Sequence, residues 1–163
     1  MPPLTIYLVR HAKAERPTPA ARDEDRLLTT RGHRQAAWLA QALAHSDAPP
    51  ALVLTSPAPR ALATAQAIAA ALNTQARIEL ALSLDSNAQR VVALIASLDQ
   101  TSPVALVGHN PTLTLVLDHL TGARAQRDAT ELRTGQAARL DPYPPASPRR
   151  YILASLLRLD DDA

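Results

Sequence analysis

Cysteine is absent from the 163 residues. Disulfides are therefore impossible, and no thiolate is available as a nucleophile, which excludes every phosphatase built on cysteine. Phenylalanine is absent too, and Trp38 is the only tryptophan, so the core must be made of Leu, Val, Ile and Ala. No segment reaches the ~20 apolar residues of a membrane span. Met1-Pro2-Pro3-Leu4 has neither a basic n-region nor a long apolar h-region, so no signal peptide is expected and a cytoplasmic location is. Lys13 is the only lysine, and the arginines are scattered, with no basic run and no interleaved aromatics. A nucleic-acid surface is therefore not expected. His11, His33, His45, His109 and His119 have no tight ligand spacing, so no metal site is expected. Internal repeats, low-complexity tracts and domain boundaries are likewise missing.

What is present is ordinary for a globular chain: 47% hydrophobic, 20% charged, formal net charge +2. That length and composition suit one domain with a proper core. The organising stretch is Leu4-Thr5-Ile6-Tyr7-Leu8-Val9 running into Arg10-His11-Ala12-Lys13. β-branched and aromatic residues favour a pleated strand. Near-continuous apolarity implies burial on both faces, as in a parallel sheet. Open α/β folds place ligands at the carboxyl ends of such strands. Arg10 and His11 are thus delivered to the site edge, one as a permanently charged fork suited to phosphate, the other as a nucleophile or proton carrier near neutral pH.

The segment from Ala14 to Arg26 carries Pro17, Pro19 and mixed charges and reads as an exposed loop. Asp23-Glu24-Asp25 could be an aspartate nucleophile and metal ligand, but that chemistry wants the pair at the end of a hydrophobic strand. A solvated charge cluster is expected instead, and likewise at Asp160-Asp161-Asp162. A helix follows to about Ala44, capped by a Thr, with Ala37, Leu39, Ala40 and Leu43 as its apolar stripe. Ala51 to Thr55 is a second strand. Ser56-Pro57 reads as cap and first helical residue, placing Arg60 in the first turn of a helix from Ala58 to about Leu72. A helix amino end with an arginine beside it suits an anion. Ala76 to Leu80 predicts a third strand, and Gln89 to Leu98 a helix. Val104 to Val107 is a fourth strand ending in Gly108-His109-Asn110-Pro111, before a helix from Thr112 to Leu120. Gly122 to Arg133 reads as a polar loop. Thr134 to Leu140 and Tyr151 to Leu159 read as closing strands around a Pro-rich connection. Three strands thus end in phosphate-suited chemistry, and a parallel sheet would bring Arg10, His11, Arg60 and His109 to one edge.

In order along the chain, these residues resemble the histidine phosphatase superfamily, also called phosphoglycerate mutase-like. Leu8-Val9-Arg10-His11-Ala12 is similar to its Arg-His-Gly signature. Asp25 to Thr29 with Gly32 and Gln35-Ala36 resembles its loop-to-helix segment. Ser56-Pro57, Arg60-Ala61 and Thr64-Ala65 resemble its second arginine motif, Gly108 to Pro111 its second histidine motif, and Thr134-Gly135 a late segment of the smaller members. Length and motif wording resemble the short SixA-type phosphohistidine phosphatases. The resemblance implies a three-layer α/β/α sandwich with a mostly parallel central sheet, one histidine phosphatase domain over residues 1–163, and a monomer. It implies that His11 attacks phosphorus while Arg10, Arg60 and His109 hold the phosphoryl oxygens, with no cofactor or metal. The implied substrate is phosphohistidine on a protein partner. The alternatives are a small-molecule phosphomonoesterase on the same site or a phosphoprotein-binding module without turnover. Ala12 replaces the signature glycine, a small change at negative φ and a costly one at positive φ. Ala14 and Pro17 stand where larger members carry polar residues, so mutase activity is not expected. Asp85 lies in roughly the connection that holds the large members' general acid and is the candidate for that role here.

Overall fold

The computed structural model describes residues 5–98, 102–122, 131–143 and 150–160. The first strand, β1 (Ile6–Arg10), is buried on both faces. A loop with a 3-10 turn at Asp23–Asp25 leads to α1 (Thr30–Ala44), then β2 (Leu52–Thr55), α2 (Pro59–Ala71), β3 (Ala76–Ile78), α3 (Ala88–Ser97) and β4 (Val104–Gly108). After α4 (Thr112–Thr121) come β5 (Ala137–Pro142) and β6 (Tyr151–Leu157). The strands form a six-stranded sheet in the order β3-β2-β4-β1-β5-β6. β1 to β4 run parallel, and β5 and β6 join antiparallel.

Strand alternation sorts the core into two layers. Ile6 and Leu8 of β1, with Val104 and Leu106 of β4, pack with Val91 and Ile95 of α3 and Leu113, Val116 and Leu117 of α4. The intervening Tyr7, Val9, Ala105 and Val107 pack on the other face with Leu39, Ala40 and Leu43 of α1 and Ala61, Ala65 and Ile68 of α2. Helices thus cover both faces, as a sheet of apolar parallel strands requires. The α/β/α architecture is the one expected. Tyr7 stays in the core because its hydroxyl donates to the Ala48 carbonyl at 2.9 Å.

Several boundaries differ from the sequence reading, each for a local reason. The inward face of α1 is Gly32, Gln35, Ala36, Leu39, Ala40 and Leu43, with Ala37 exposed. That face keeps helical spacing only if a polar residue, Gln35, is admitted to it. α2 starts at Pro59 because Ser56 is a turn residue: its Oγ accepts from the Ala58 N–H at 3.2 Å. β3 ends at Ile78 and gives way to a 3-10 turn at Leu80–Leu82. β5 begins at Ala137 because residues before it turn through Gly135, whose φ is +69°. Thr29 caps α1 by accepting from the Gly32 N–H, and Asn87 caps α3 by accepting from the Arg90 N–H. The middle of the Pro-rich connection, most of the polar loop after Gly122, and Asp161-Asp162 lie outside the described residues.

Candidate active site

The sheet register does most of the assembly. β2, β4 and β1 are consecutive neighbours, with Thr55 paired to Val107 and Arg10 to Gly108. The next residues, Ser56, His109 and His11, therefore leave one edge side by side. The ring centroids of His11 and His109 are 5.3 Å apart. Arg60 reaches the same point from the first turn of α2. All three side chains are buried: His11 is 6% exposed, His109 7% and Arg60 2%.

The protonation pattern of His11 follows from its partners. Nδ1 lies 2.8 Å from the Ala12 carbonyl, which can only accept, so Nδ1 carries the proton. The lone pair is then on Nε2, where it accepts from Arg60 Nε–H at 3.3 Å. Burial, followed by the positive charges of Arg60 and Arg10, pushes the imidazole down to about 4, against a hydrogen bond to Ala12 that opposes the shift. The ring is neutral at pH 7 with a directed lone pair. His109 is pushed down to about 3, first by burial and then by His11 and Arg60. Its Nε2 is 2.7 Å from Ser56 Oγ. Its Nδ1 is buried and has no partner among the described residues.

Both arginines are lowered by burial. For Arg10, Glu131 opposes and Arg26 adds to the shift; for Arg60, Arg26 adds and Asp23 opposes. Arg10 Nη1 donates to the Leu132 carbonyl at 2.8 Å, while its buried Nε has no partner among the described residues. Arg60 Nη1 donates to the Asp23 carbonyl at 2.8 Å, and Nη2 lies 3.5 Å from Asp23 Oδ2. Two guanidinium groups and two neutral imidazoles thus converge, and Arg10 Nε and His109 Nδ1 are buried without a partner among the described residues. Such a set can hold an oxyanion and offer a nucleophile to its central atom.

Three separated segments interlock behind His11. Gln35 is fully buried, and its Oε1 accepts from the Lys13 N–H at 2.9 Å. A Cβ on Gly32 would stand 2.0 Å from the Lys13 carbonyl oxygen, and one on Gly135 would stand 2.8 Å from Gln35 Oε1. Only glycine allows these approaches. The Gly135 N–H donates to the His11 carbonyl at 2.9 Å. From α2, Thr64 Oγ accepts from the Ala12 N–H at 3.0 Å and donates to the Arg60 carbonyl at 2.8 Å, joining the two site segments. Ala12 itself is unstrained: among the described residues the non-glycine position with positive φ is Asn73. The methyl group is buried in a small cluster with Leu28 and Ala36.

The structure brings Arg10, His11, Arg60 and His109 together. Asp85 is exposed and lines a depression of about 280 Å³ with Pro57, Asp25 and Ser56, whose Oγ is the partner of His109. The loop acids are more than a solvated cluster: Asp23 engages Arg60 and also pairs with Arg26 Nε at 2.8 Å. Nothing in the local sequence marks that contact, which depends on the loop folding back over α2. The bond between Ser56 and His109 was equally out of reach. Beside His11 lies a cavity of about 560 Å³ whose remaining charged lining is Lys13, Arg26, Arg31, Arg133 and Arg158. Scattered in sequence, these cations showed no pattern. No group of three His, Asp or Glu side chains suited to a metal ion occurs among the described residues, and no helix among them is long and apolar enough to cross a membrane.

Comparison with known proteins agrees with this geometry. A profile of the histidine phosphatase superfamily (branch 1) matches residues 6–85. Among solved structures, the chain is similar to one assigned as the phosphohistidine phosphatase SixA from Agrobacterium tumefaciens. The identity is 31%, the match covers 95% of this chain and 97% of that one, and the TM-score is 0.81. A second, with the same assignment in Nakamurella multipartitia, has 25% identity, covers 94% of each chain and has a TM-score of 0.75. The protein histidine phosphatase SixA complexed with tungstate shares the fold at 20% identity, with coverage of 94% and 96% and a TM-score of 0.79. No curated protein matches the sequence.

Proposed function

The chain belongs to the histidine phosphatase superfamily, and from that premise we propose that it hydrolyses phosphohistidine on a protein partner through a phosphorylated His11. The observation that carries this reading is the fixed tautomer of His11: Nδ1–H on the Ala12 carbonyl, Nε2 lone pair facing Arg60. The assignment of its 31%-identical relative as a phosphohistidine phosphatase supports the substrate class.

In the first step the Nε2 lone pair forms a bond to phosphorus while the bond from phosphorus to the substrate imidazole breaks. Arg60 Nε–H passes from the His11 ring to a phosphoryl oxygen. Arg10 Nε–H and His109 take further oxygens, so developing charge meets preorganised donors in a site shielded from water. The substrate imidazole, already protonated on its other ring nitrogen, takes the electrons of the broken bond and departs neutral, which is easier than expulsion of an alkoxide. In the second step water attacks the phosphorus, the bond to Nε2 breaks, and inorganic phosphate leaves with His11 restored. Residues 1–163 act in this scheme as one histidine phosphatase domain.

The test is incubation of the purified protein with a phosphohistidine protein and, separately, with an aryl phosphate, both in the presence of chelator. Phosphate release from the phosphoprotein, with acid-labile labelling of wild type and none of His11→Ala, is the expected result. Release from the aryl ester alone would point to a small-molecule phosphomonoesterase. Labelling that survives in His11→Ala would remove His11 as nucleophile.

A further inference from the structure

Ser56 leaves β2 beside His109, which leaves β4, and its side chain is fully buried. Its backbone is held on both sides: the N–H donates to the Val107 carbonyl at 3.0 Å, and the carbonyl accepts from Thr55 Oγ at 2.9 Å. His109 is anchored as well, because its carbonyl accepts from the Leu113 N–H at 3.0 Å at the start of α4. The 2.7 Å contact between Ser56 Oγ and His109 Nε2 therefore joins two fixed residues.

Two placements of the proton are open to that contact. In the first, Nε2–H donates to Oγ. The Ser56 hydroxyl proton then has no acceptor among the described residues, and the buried Nδ1 holds a lone pair that repels a phosphoryl oxygen. In the second, the hydroxyl donates to Nε2. Ser56 is then satisfied, because Oγ gives its proton to the ring and accepts from the Ala58 N–H at 3.2 Å. Nδ1 carries the ring proton, buried and without a partner among the described residues. Buried polar groups are rarely left unpaired. The second placement leaves only one, and it is a donor, the kind of group that an oxyanion satisfies. Arg10 Nε is another such donor in the site. Burial holds the His109 imidazole neutral, so one of its two nitrogens must go without a proton.

We propose that Ser56 is a positioning residue for the reaction: its hydroxyl donates to His109 Nε2, which fixes the Nδ1–H tautomer and leaves Nδ1 to donate to a phosphoryl oxygen. This rests on the phosphohistidine reading for the substrate and adds how His109, a neutral ring, becomes a donor. Ser56 does not touch the phosphoryl group and acts only through the ring. The hydrogen bond at one nitrogen of an imidazole decides which nitrogen is protonated, and a third group that orients a reacting imidazole is a recurring device. Both residues stand at strand ends fixed by register, so the donor is set before the substrate arrives and no reorganisation is needed during the reaction.

The ring protons are read first, by nitrogen NMR of wild-type protein carrying isotope-labelled histidine near neutral pH, with His109→Ala identifying the His109 signals. A proton on Nδ1 is expected. A proton on Nε2 overturns the proposal, and this readout needs no variant of Ser56. Kinetics then compare wild type, Ser56→Ala, His109→Ala and the double variant on a phosphohistidine peptide and on an aryl phosphate, with chelator present. Ser56→Ala should lower kcat about tenfold, less than the roughly hundredfold fall expected of His109→Ala, and should add nothing to the loss in the double variant. Losses that simply multiply in the double variant make Ser56 part of the scaffold and overturn its role. Turnover of the aryl ester alone overturns the phosphohistidine reading, and the same comparison on that ester decides the role of Ser56. If neither substrate is turned over, that reading falls as well, and the ring protons together with Kd for inorganic phosphate across the same variants decide the role.

Discussion

The floor of the site and its rim are built in opposite ways. The inner groups His11, Arg60 and His109 are buried, come from the parallel half of the sheet and its helix α2, and are held by hydrogen bonds of 2.7 to 3.3 Å. The rim charges stand on loops and helix ends, and two of them, Arg133 and Arg158, flank the antiparallel strands β5 and β6. Buried groups held by hydrogen bonds are placed for chemistry, where small displacements are costly. Half-solvated cations on the rim are screened by solvent and keep more side-chain freedom.

Replacing the floor's charge should break the comparison most visibly. Arg60→Ala removes a donor aimed at developing charge, and kcat should fall about a hundred- to a thousandfold, measured with phosphohistidine peptide at saturation. A fall of only a few fold would make Arg60 no more than a rim residue. Support for the floor comes next. Gly32→Ala forces a methyl group into the Lys13 carbonyl, and stability should drop by about 2 kcal/mol or more, read from the urea midpoint at unchanged m. A midpoint within experimental error of wild type would show that the contact between α1 and the loop yields freely.

The pH dependence of stability sharpens the same contrast. His11 and His109 are neutral when folded, pushed down to about 4 and about 3, whereas the unfolded chain takes up protons near the ordinary 6.5. Between these values the unfolded state binds more protons, so stability is full above the ordinary value and falls as pH drops from there toward 4. Denaturant midpoints across pH 3.5 to 8 check this, and a curve flat through that window would mean that the imidazoles are not held neutral. The smallest effect belongs to the rim. Arg133→Gln should shift stability by less than about 0.5 kcal/mol, because its side chain is exposed. A larger loss would make the rim part of the scaffold.

How much of this was readable in advance depended on the range of each interaction. β1 and β4 declared themselves as apolar runs, and a Thr as the cap of α1, because strands buried on both faces and helix starts are local patterns. Arg10, His11, Arg60 and His109 were readable because strand and helix ends place them without help from distant residues. Gln35 belonged to the loop-to-helix motif, but its partner, the Lys13 N–H, lies 22 residues away and only the fold brings it there. Asp23 read as solvated because its contact with Arg60 spans 37 residues of chain. The rim cations were invisible for the same reason.

The order of residues by itself determined that a sheet of apolar strands would carry two arginines and two histidines to its carboxyl edge. It did so because side-chain alternation and strand-end chemistry are encoded within a few residues. Only the tertiary structure decided which nitrogen of His11 carries the proton, that Thr64 and three polypeptide segments lock that ring in place, and that cations from four stretches share one cavity. Those outcomes depend on register and on close approach between distant parts of the chain, and no local pattern encodes them.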